Sequence, residues 1–304
     1  MLGGTVEFWL KRQQVFDRDL DRAARSINEE EADTWLRLAK IPGKSPSGRL
    51  TGERRVTELK RRLAFYDTNK PSQWQARYDH LLGKAKFRTS NALASDDAAV
   101  AMWLRRGEIE AETAETAKWD ADGLRSKLTE IKKLSLRKSP DKFLTDLKQI
   151  CAGVGVAIVI ERTPPGCRAS GASKFIRPDK AMILLSFRFR SNDHFWFTLF
   201  HELGHLLLHT GEVWVDFDLN ELDAHEREAN AFASDLIVPP ARKTEFAHLP
   251  RLQDEIVRFA ISLDVAPGVI VGQMQHRGML DRRAFSYLKR IWTWNEIESA
   301  AASA

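Results

Sequence analysis

Cysteine is scarce: the 304 residues contain two, Cys151 and Cys167. That excludes a disulfide-stapled scaffold. Neither sits in a CxxC or Cys/His spacing, so both read as buried or incidental thiols in a reducing compartment. No apolar run approaches the roughly 20 residues that a membrane helix needs. The opening Met1-Leu-Gly-Gly-Thr-Val-Glu-Phe-Trp-Leu-Lys-Arg has no apolar signal core, so the expectation is a cytoplasmic chain with no membrane partner. Internal repeats and low-complexity tracts are missing too. Basic charge in excess is missing as a patch. Lys and Arg number 47 against 42 Asp and Glu. The surplus lies in residues 1–150, with 30 basic against 23 acidic side chains, but there the two signs are interleaved. That describes a solvated helical surface better than a phosphate-binding stripe, so DNA binding is expected to be weak or absent.

What is present is a soluble globular composition, 43% hydrophobic and 29% charged, in a chain long enough for one large domain or two ordinary ones. Apolar residues at three- and four-residue spacing predict helices in Val6–Leu20, Thr34–Leu38, Val56–Tyr66, Ala98–Leu104 and Leu124–Leu134. Ser139-Pro140 marks the start of another helix, roughly Asp141–Ala152. Most tryptophans, such as Trp35, Trp74, Trp103 and Trp119, fall at helical apolar positions and read as core. The texture then changes. Val154–Glu161 is β-branched and apolar, and Ser170–Ile176 and Ala181–Phe187 follow as two further strands, the last of them expected at a sheet edge where a peptide strand can pair. Asn192 or Asp193 can cap a helix through His194–His209. Asp216–Glu221 reads as an acidic loop, and a second helix fits Ala224–Val238, stopped by Pro239-Pro240. Pro267 is placed to start a later helix. The fold class is therefore α+β: a mostly helical region over 1–140, a small α+β domain over 141–245, and C-terminal helices over 246–304 packing on it.

His201-Glu-Leu-Gly-His205 carries the chemistry. On a helix, residues four apart share a face about 6 Å apart along the axis. Two imidazoles can then reach one metal ion, with Glu202 beside them as a base for a water. A catalytic zinc takes three protein ligands and leaves a position open. The third is sought in Glu226-Arg-Glu-Ala-Asn230-Ala-Phe-Ala233. Glu226 and Glu228 point roughly 200° apart. Glu226 is favoured, because Asn230 stands one turn downstream and can hydrogen-bond a ligating imidazole. Ala229 and Ala233 keep that helix thin, so that two helices can approach closely. His209 is two turns from His201, about 12 Å, too far for a strain-free third ligand. It reads as a supporting partner of the site or as a polar helix end. The ligand set suits zinc, and manganese can also occupy it.

His-Glu-Leu-Gly-His-Leu-Leu-Leu-His, followed by Glu-Arg-Glu-Ala-Asn-Ala-Phe-Ala-Ser-Asp-Leu-Ile-Val-Pro, resembles the ImmA/IrrE family of zinc metallopeptidase-like proteins over roughly residues 145–245. The resemblance implies a gluzincin-like domain with His201, His205 and Glu226 as ligands and Glu202 as base. It also implies a regulatory role, the cleavage of a repressor, transcription factor or toxin/antitoxin partner in a stress, phage-defence or mobile-element response. More weakly, Thr5-Val-Glu-Phe-Trp-Leu-Lys-Arg-Gln-Gln is similar to the last helix of the helix-turn-helix unit of HigA-like antitoxin regulators, whose other helices are not found in front of it. Ala260–Gln275 has a turn-then-helix look and reads as a packing helix rather than a DNA reader. The oxyanion partner stays open among Tyr66, Tyr78, Tyr287, Arg188, Arg190 and His194. The alternative is a non-proteolytic, antitoxin-like binding module that uses its metal for stability.

Overall fold

The computed structural model describes residues 3–44, 46, 48, 50–85, 96–209, 214–216 and 224–304. Two compact units divide the chain: 1–105 with 164–167, and 106–163 with 168–304. The first contains helices α1 (Val6–Ser26), α2 (Glu29–Leu38), α3 (Gly52–Tyr66) and α4 (Pro71–Ala85), and the start of α5 (Asp97–Thr113). Side chains that satisfy the first-turn N–H groups define two of the starts. Thr5 accepts from Phe8 N at 3.2 Å, and Asn28 from Glu31 N at 2.9 Å. The core holds Leu59, Leu63 and a cluster of Tyr66, Trp74 and Tyr78, with ring centroids 5.8–5.9 Å apart and Tyr66 edge-to-face with both others. The first half of α1 instead leaves Val6, Phe8, Trp9, Leu10, Val15 and Phe16 exposed.

The second unit begins within α5 and includes α6 (Ala121–Lys133) and α7 (Pro140–Ala152). Residue 140, expected at a domain boundary, therefore lies inside this unit, and so does residue 245. The sheet consists of β1 (Val156–Ile160), β2 (Gly171–Arg177), β3 (Lys180–Leu185) and β4 (Trp214–Asp216), in the order β1-β3-β2-β4. β1 and β3 run parallel, with Ile158 opposite Ile183, and β2 is antiparallel to both β3 and β4. The expectation that Ala181–Phe187 forms an edge is thus corrected. All six residues of β3 are buried. An uninterrupted apolar run such as Met-Ile-Leu-Leu marks a strand covered on both faces. Among the described residues the edges are β1 and β4. The strand stops at Leu185, and Phe187 takes a left-handed conformation (φ 50°).

Alternate residues of β1 and β3 (Val156, Ile158, Ala181, Ile183 and Leu185) face one core with Phe143, Leu147, Trp196, Phe200 and Leu203. These helical residues come from α7 and from α8 (Asn192–Leu208). α9 (Ala224–Ile237), α10 (Lys243–Ala247), α11 (Gln253–Ser262), α12 (Pro267–His276) and α13 (Trp294–Ser303) complete the unit. Pro267 occupies the first turn of α12, where its missing N–H has no intrahelical use. Six residues of α12 are buried, including Val269, Ile270, Val271 and Met274. It packs into the core of the unit. Trp292 is buried beside Phe143 and Phe187. The architecture is α+β with a helical N-terminal part. Among the described residues no helix is long and apolar enough to cross a membrane.

Candidate metal centre

α8 is buried along nearly its whole length, with only His194, Phe197 and Leu208 partly or fully accessible. A helix apolar on all sides belongs in a core, which is why Phe195-Trp-Phe-Thr-Leu-Phe200 can carry the motif inward. Its N-cap is Ser191, not Asn192 or Asp193 as expected. Those two side chains are committed elsewhere. Asn192 Oδ1 accepts from Arg290 N at 3.1 Å, and Asp193 forms an ion pair with Lys289 at 2.5 Å.

α9 crosses the end of α8 with Ala229, Ala233 and Ile237 buried. Glu226 and Asn230 lie on that same face by three- and four-residue spacing. Close approach depends on Gly204 within the motif. A Cβ there would stand 3.0 Å from Cδ1 and 3.3 Å from Cβ of Phe232 on α9. The result is a three-atom cluster. Nε2 of His201 is 2.9 Å from Nε2 of His205 and 3.2 Å from Oε2 of Glu226, and Nε2 of His205 is 3.6 Å from Oε1 of Glu226. Tetrahedral ligands at about 2.0 Å from one centre stand about 3.3 Å apart, so the donor set fits a zinc-sized ion. His201, His205 and Glu226 form the one group of metal-ligand type found among the described residues. Glu228 points away, with its side chain 61% exposed.

The electrostatics favour the ligand forms. Burial raises the Glu226 carboxyl, but hydrogen bonds and charge from His201 and His205 outweigh it and hold the group well below the ordinary carboxylate range. Burial holds His205 below the ordinary imidazole range against the pull of Glu226. Each imidazole has a partner on its other nitrogen: Nδ1 of His201 is 3.0 Å from Oδ1 of Asn230, and Nδ1 of His205 is 3.1 Å from Nδ1 of His209.

Glu202 is fully buried and lies against the first residue of β2: the Cβ position of Gly171 is 2.6 Å from Oε1 of Glu202. Reading the sequence missed Gly171 and missed Trp214, whose ring stacks on His205 at 4.5 Å and 8°. The β-branched and aromatic composition of Val213-Trp-Val215 was the available signal for a short strand. The acidic segment 216–221 lies, from 217 onward, outside the described residues. The oxyanion candidates have other engagements. Tyr287 donates to Gln253 at 2.9 Å, and Tyr66 and Tyr78 belong to the core of the first unit. Arg188 donates to the carbonyl of Arg168 at 2.6 Å, and His194 packs on Phe189 at 4.2 Å.

A buried helix that presents two imidazoles to a carboxylate from a second helix, beside a small mixed sheet, defines a metallopeptidase-type domain. Residues 156–277, from β1 past the end of α12, match the family model of the IrrE N-terminal-like domain, Peptidase_M78, which supports the ImmA/IrrE family for this segment. The match spans less than half of the chain and includes every residue of the cluster. A comparison with curated proteins found no match.

Proposed function

We propose that the chain is a zinc-dependent peptidase that acts as a regulator by cleaving a protein partner: a repressor, a transcription factor or a toxin/antitoxin component, in a stress, phage-defence or mobile-element response. The observation that carries this reading is the convergence of His201, His205 and Glu226, with Glu202 buried on the same helix beside His201 in the chain. The two imidazoles would hold the ion through Nε2, and Glu226 would hold it through its carboxylate. Manganese can occupy the same set. A zinc ion there lowers the pKa of water to about 7 and polarises a scissile carbonyl. Glu202 takes the proton of the attacking water on its carboxylate and returns it to the leaving amine. Asn230 and His209 orient the ligating rings.

The test is incubation of the zinc-loaded chain with the helix-turn-helix repressor or toxin encoded beside its gene, with fragments read by mass spectrometry. Defined fragments are expected. Intact partner, with zinc bound, would overturn the reading. The exposed apolar side chains of α1 favour a second reading, a partner-binding regulatory module in which the metal serves stability. The similarity of α1 to HigA-like regulators belongs to that alternative.

A further inference from the structure

Glu228 stands outside the ligand cluster, yet a chain of contacts joins it to His205. Its Oε2 is 2.8 Å from Nε2 of His209, and Nδ1 of His209 is 3.1 Å from Nδ1 of His205. An ionised carboxylate can only accept, so Nε2 of His209 is the donor. A neutral imidazole donates from one nitrogen and accepts at the other. With its proton on Nε2, His209 accepts at Nδ1, and Nδ1 of His205 must donate. The lone pair of His205 is then on Nε2, the atom 2.9 Å from Nε2 of His201 and 3.6 Å from Glu226. The parallel ring of Trp214, 4.5 Å away, restricts the tilt of the same imidazole.

We infer that Glu228, acting through His209, is a positioning residue that fixes the proton and the ring orientation of His205 for metal ligation. The inference rests on the reading of His205 as a ligand. His201 has its own arrangement, in which Nδ1 meets the amide oxygen of Asn230. The two ligating rings thus draw on different supports. One is an amide on the inner face of α9; the other is a carboxylate on its exposed side, relayed by a third imidazole. Because Glu228 is 61% exposed, removing its side chain leaves no core cavity, and alanine suits the helix. A loss of metal affinity would therefore not be a loss of fold.

The experiment compares the full chain with its Glu228→Ala and Glu228→Gln variants. Zinc affinity is measured by competition with a chromogenic chelator, and the imidazole N–H region of the zinc-loaded protein is followed by ¹H–¹⁵N NMR. Glu228→Ala should bind zinc about 10–100-fold more weakly, the range for loss of such supporting partners, and the His205 Nδ1–H signal should lose its protection from exchange. Glu228→Gln, whose amide oxygen accepts the same N–H, should recover most of both. An affinity for Glu228→Ala within about twofold of wild type, where loss of such a partner predicts more, together with an unchanged His205 signal would overturn the inference. The outcome is separable from the peptidase reading. A chain that cleaves no partner but shows Glu228-dependent zinc affinity supports this inference and sinks that reading. Cleavage with Glu228-independent affinity does the reverse.

Discussion

The side chain that Gly171 lacks would collide with the residue assigned as base: its Cβ would stand 2.6 Å from Oε1 of Glu202 and 2.6 Å from Cγ2 of Thr198. β2 therefore touches the site helix at the level of the carboxylate. Gly171→Ala should push Glu202 aside without touching His201, His205 or Glu226. Misplacing a catalytic group by an ångström costs on the order of 10²-fold in rate, and overpacking costs about 1–3 kcal/mol of stability. The expected variant binds zinc as wild type does and cleaves its partner about 10²-fold more slowly. Elemental analysis and a cleavage time course test this, and full activity in a stably folded Gly171→Ala protein would refute it.

Ligand choice gives a second expectation. The cluster has one centre, so elemental analysis should find about one divalent ion per chain. Glu226→Ala should strip it, because an open ligand pair binds poorly. At saturating zinc, Glu228→Ala should still carry its ion, since Glu228 faces His209 rather than the centre. Retention by Glu226→Ala and loss by Glu228→Ala would reverse the assignment.

Much of this site was legible in the sequence because helical spacing is rigid. A spacing of four from His201 to His205, and again from Glu226 to Asn230, places side chains on shared faces before any tertiary contact is known. The small residues Gly204, Ala229 and Ala233 signal that the two helices meet closely. Strand order was not legible in the same way. Ala181–Phe187 looks like the last strand before the helix and was placed at an edge, but pairing in a sheet is set by crossovers that local pattern does not encode. The uninterrupted apolar run was the better guide to a central position. The cap of α8 failed for a related reason: Asn192 and Asp193 have the right chemistry, but Arg290 and Lys289, about a hundred residues later, engage both. Gly171 and Trp214 reach the site through pairing of β2 with β4, which no spacing rule reveals.

Cys151 offers a test of burial within the second unit. It is fully buried in the last turn of α7, and burial pushes its thiol up to about 12. In the native chain at pH 8 it should stay a thiol and resist iodoacetamide, and label readily in urea. A folded-state value above the unfolded one means that the stabilisation is present below the unfolded pKa of about 8.5. It is lost as pH rises from there through the folded value. Rapid native labelling of Cys151 at pH 8 would contradict the packing of α7 against β1.

DNA binding is expected to be weak and salt-sensitive. Acids interleave the basic residues of the first 150 positions, and α12 is buried. Nonspecific association through phosphates falls steeply with salt. Electrophoretic shifts should therefore vanish at physiological salt, and a footprint on a defined operator there would show that a reader exists.

Glu202 separates the two functional classes. It follows His201 directly in the His201–His205 motif, but its carboxylate lies against Gly171 rather than in the His201–His205–Glu226 cluster. Glutamine has nearly the same shape and cannot accept a proton near neutral pH. Glu202→Gln should therefore keep the fold and the metal while losing general-base catalysis, typically about 10²–10⁴-fold. His205→Ala is the contrasting variant. It removes a ligand and should lose metal and stability together, because the bound ion contributes folding free energy. For a peptidase, Glu202→Gln will be stable, metal-loaded and unable to cleave its partner in vitro or relieve repression in cells. For a metal-stabilised binding module, Glu202→Gln will match wild type in every regulatory assay and only His205→Ala will fail. A regulatory function that survives Glu202→Gln would rule out proteolysis as its basis, even with zinc in the site.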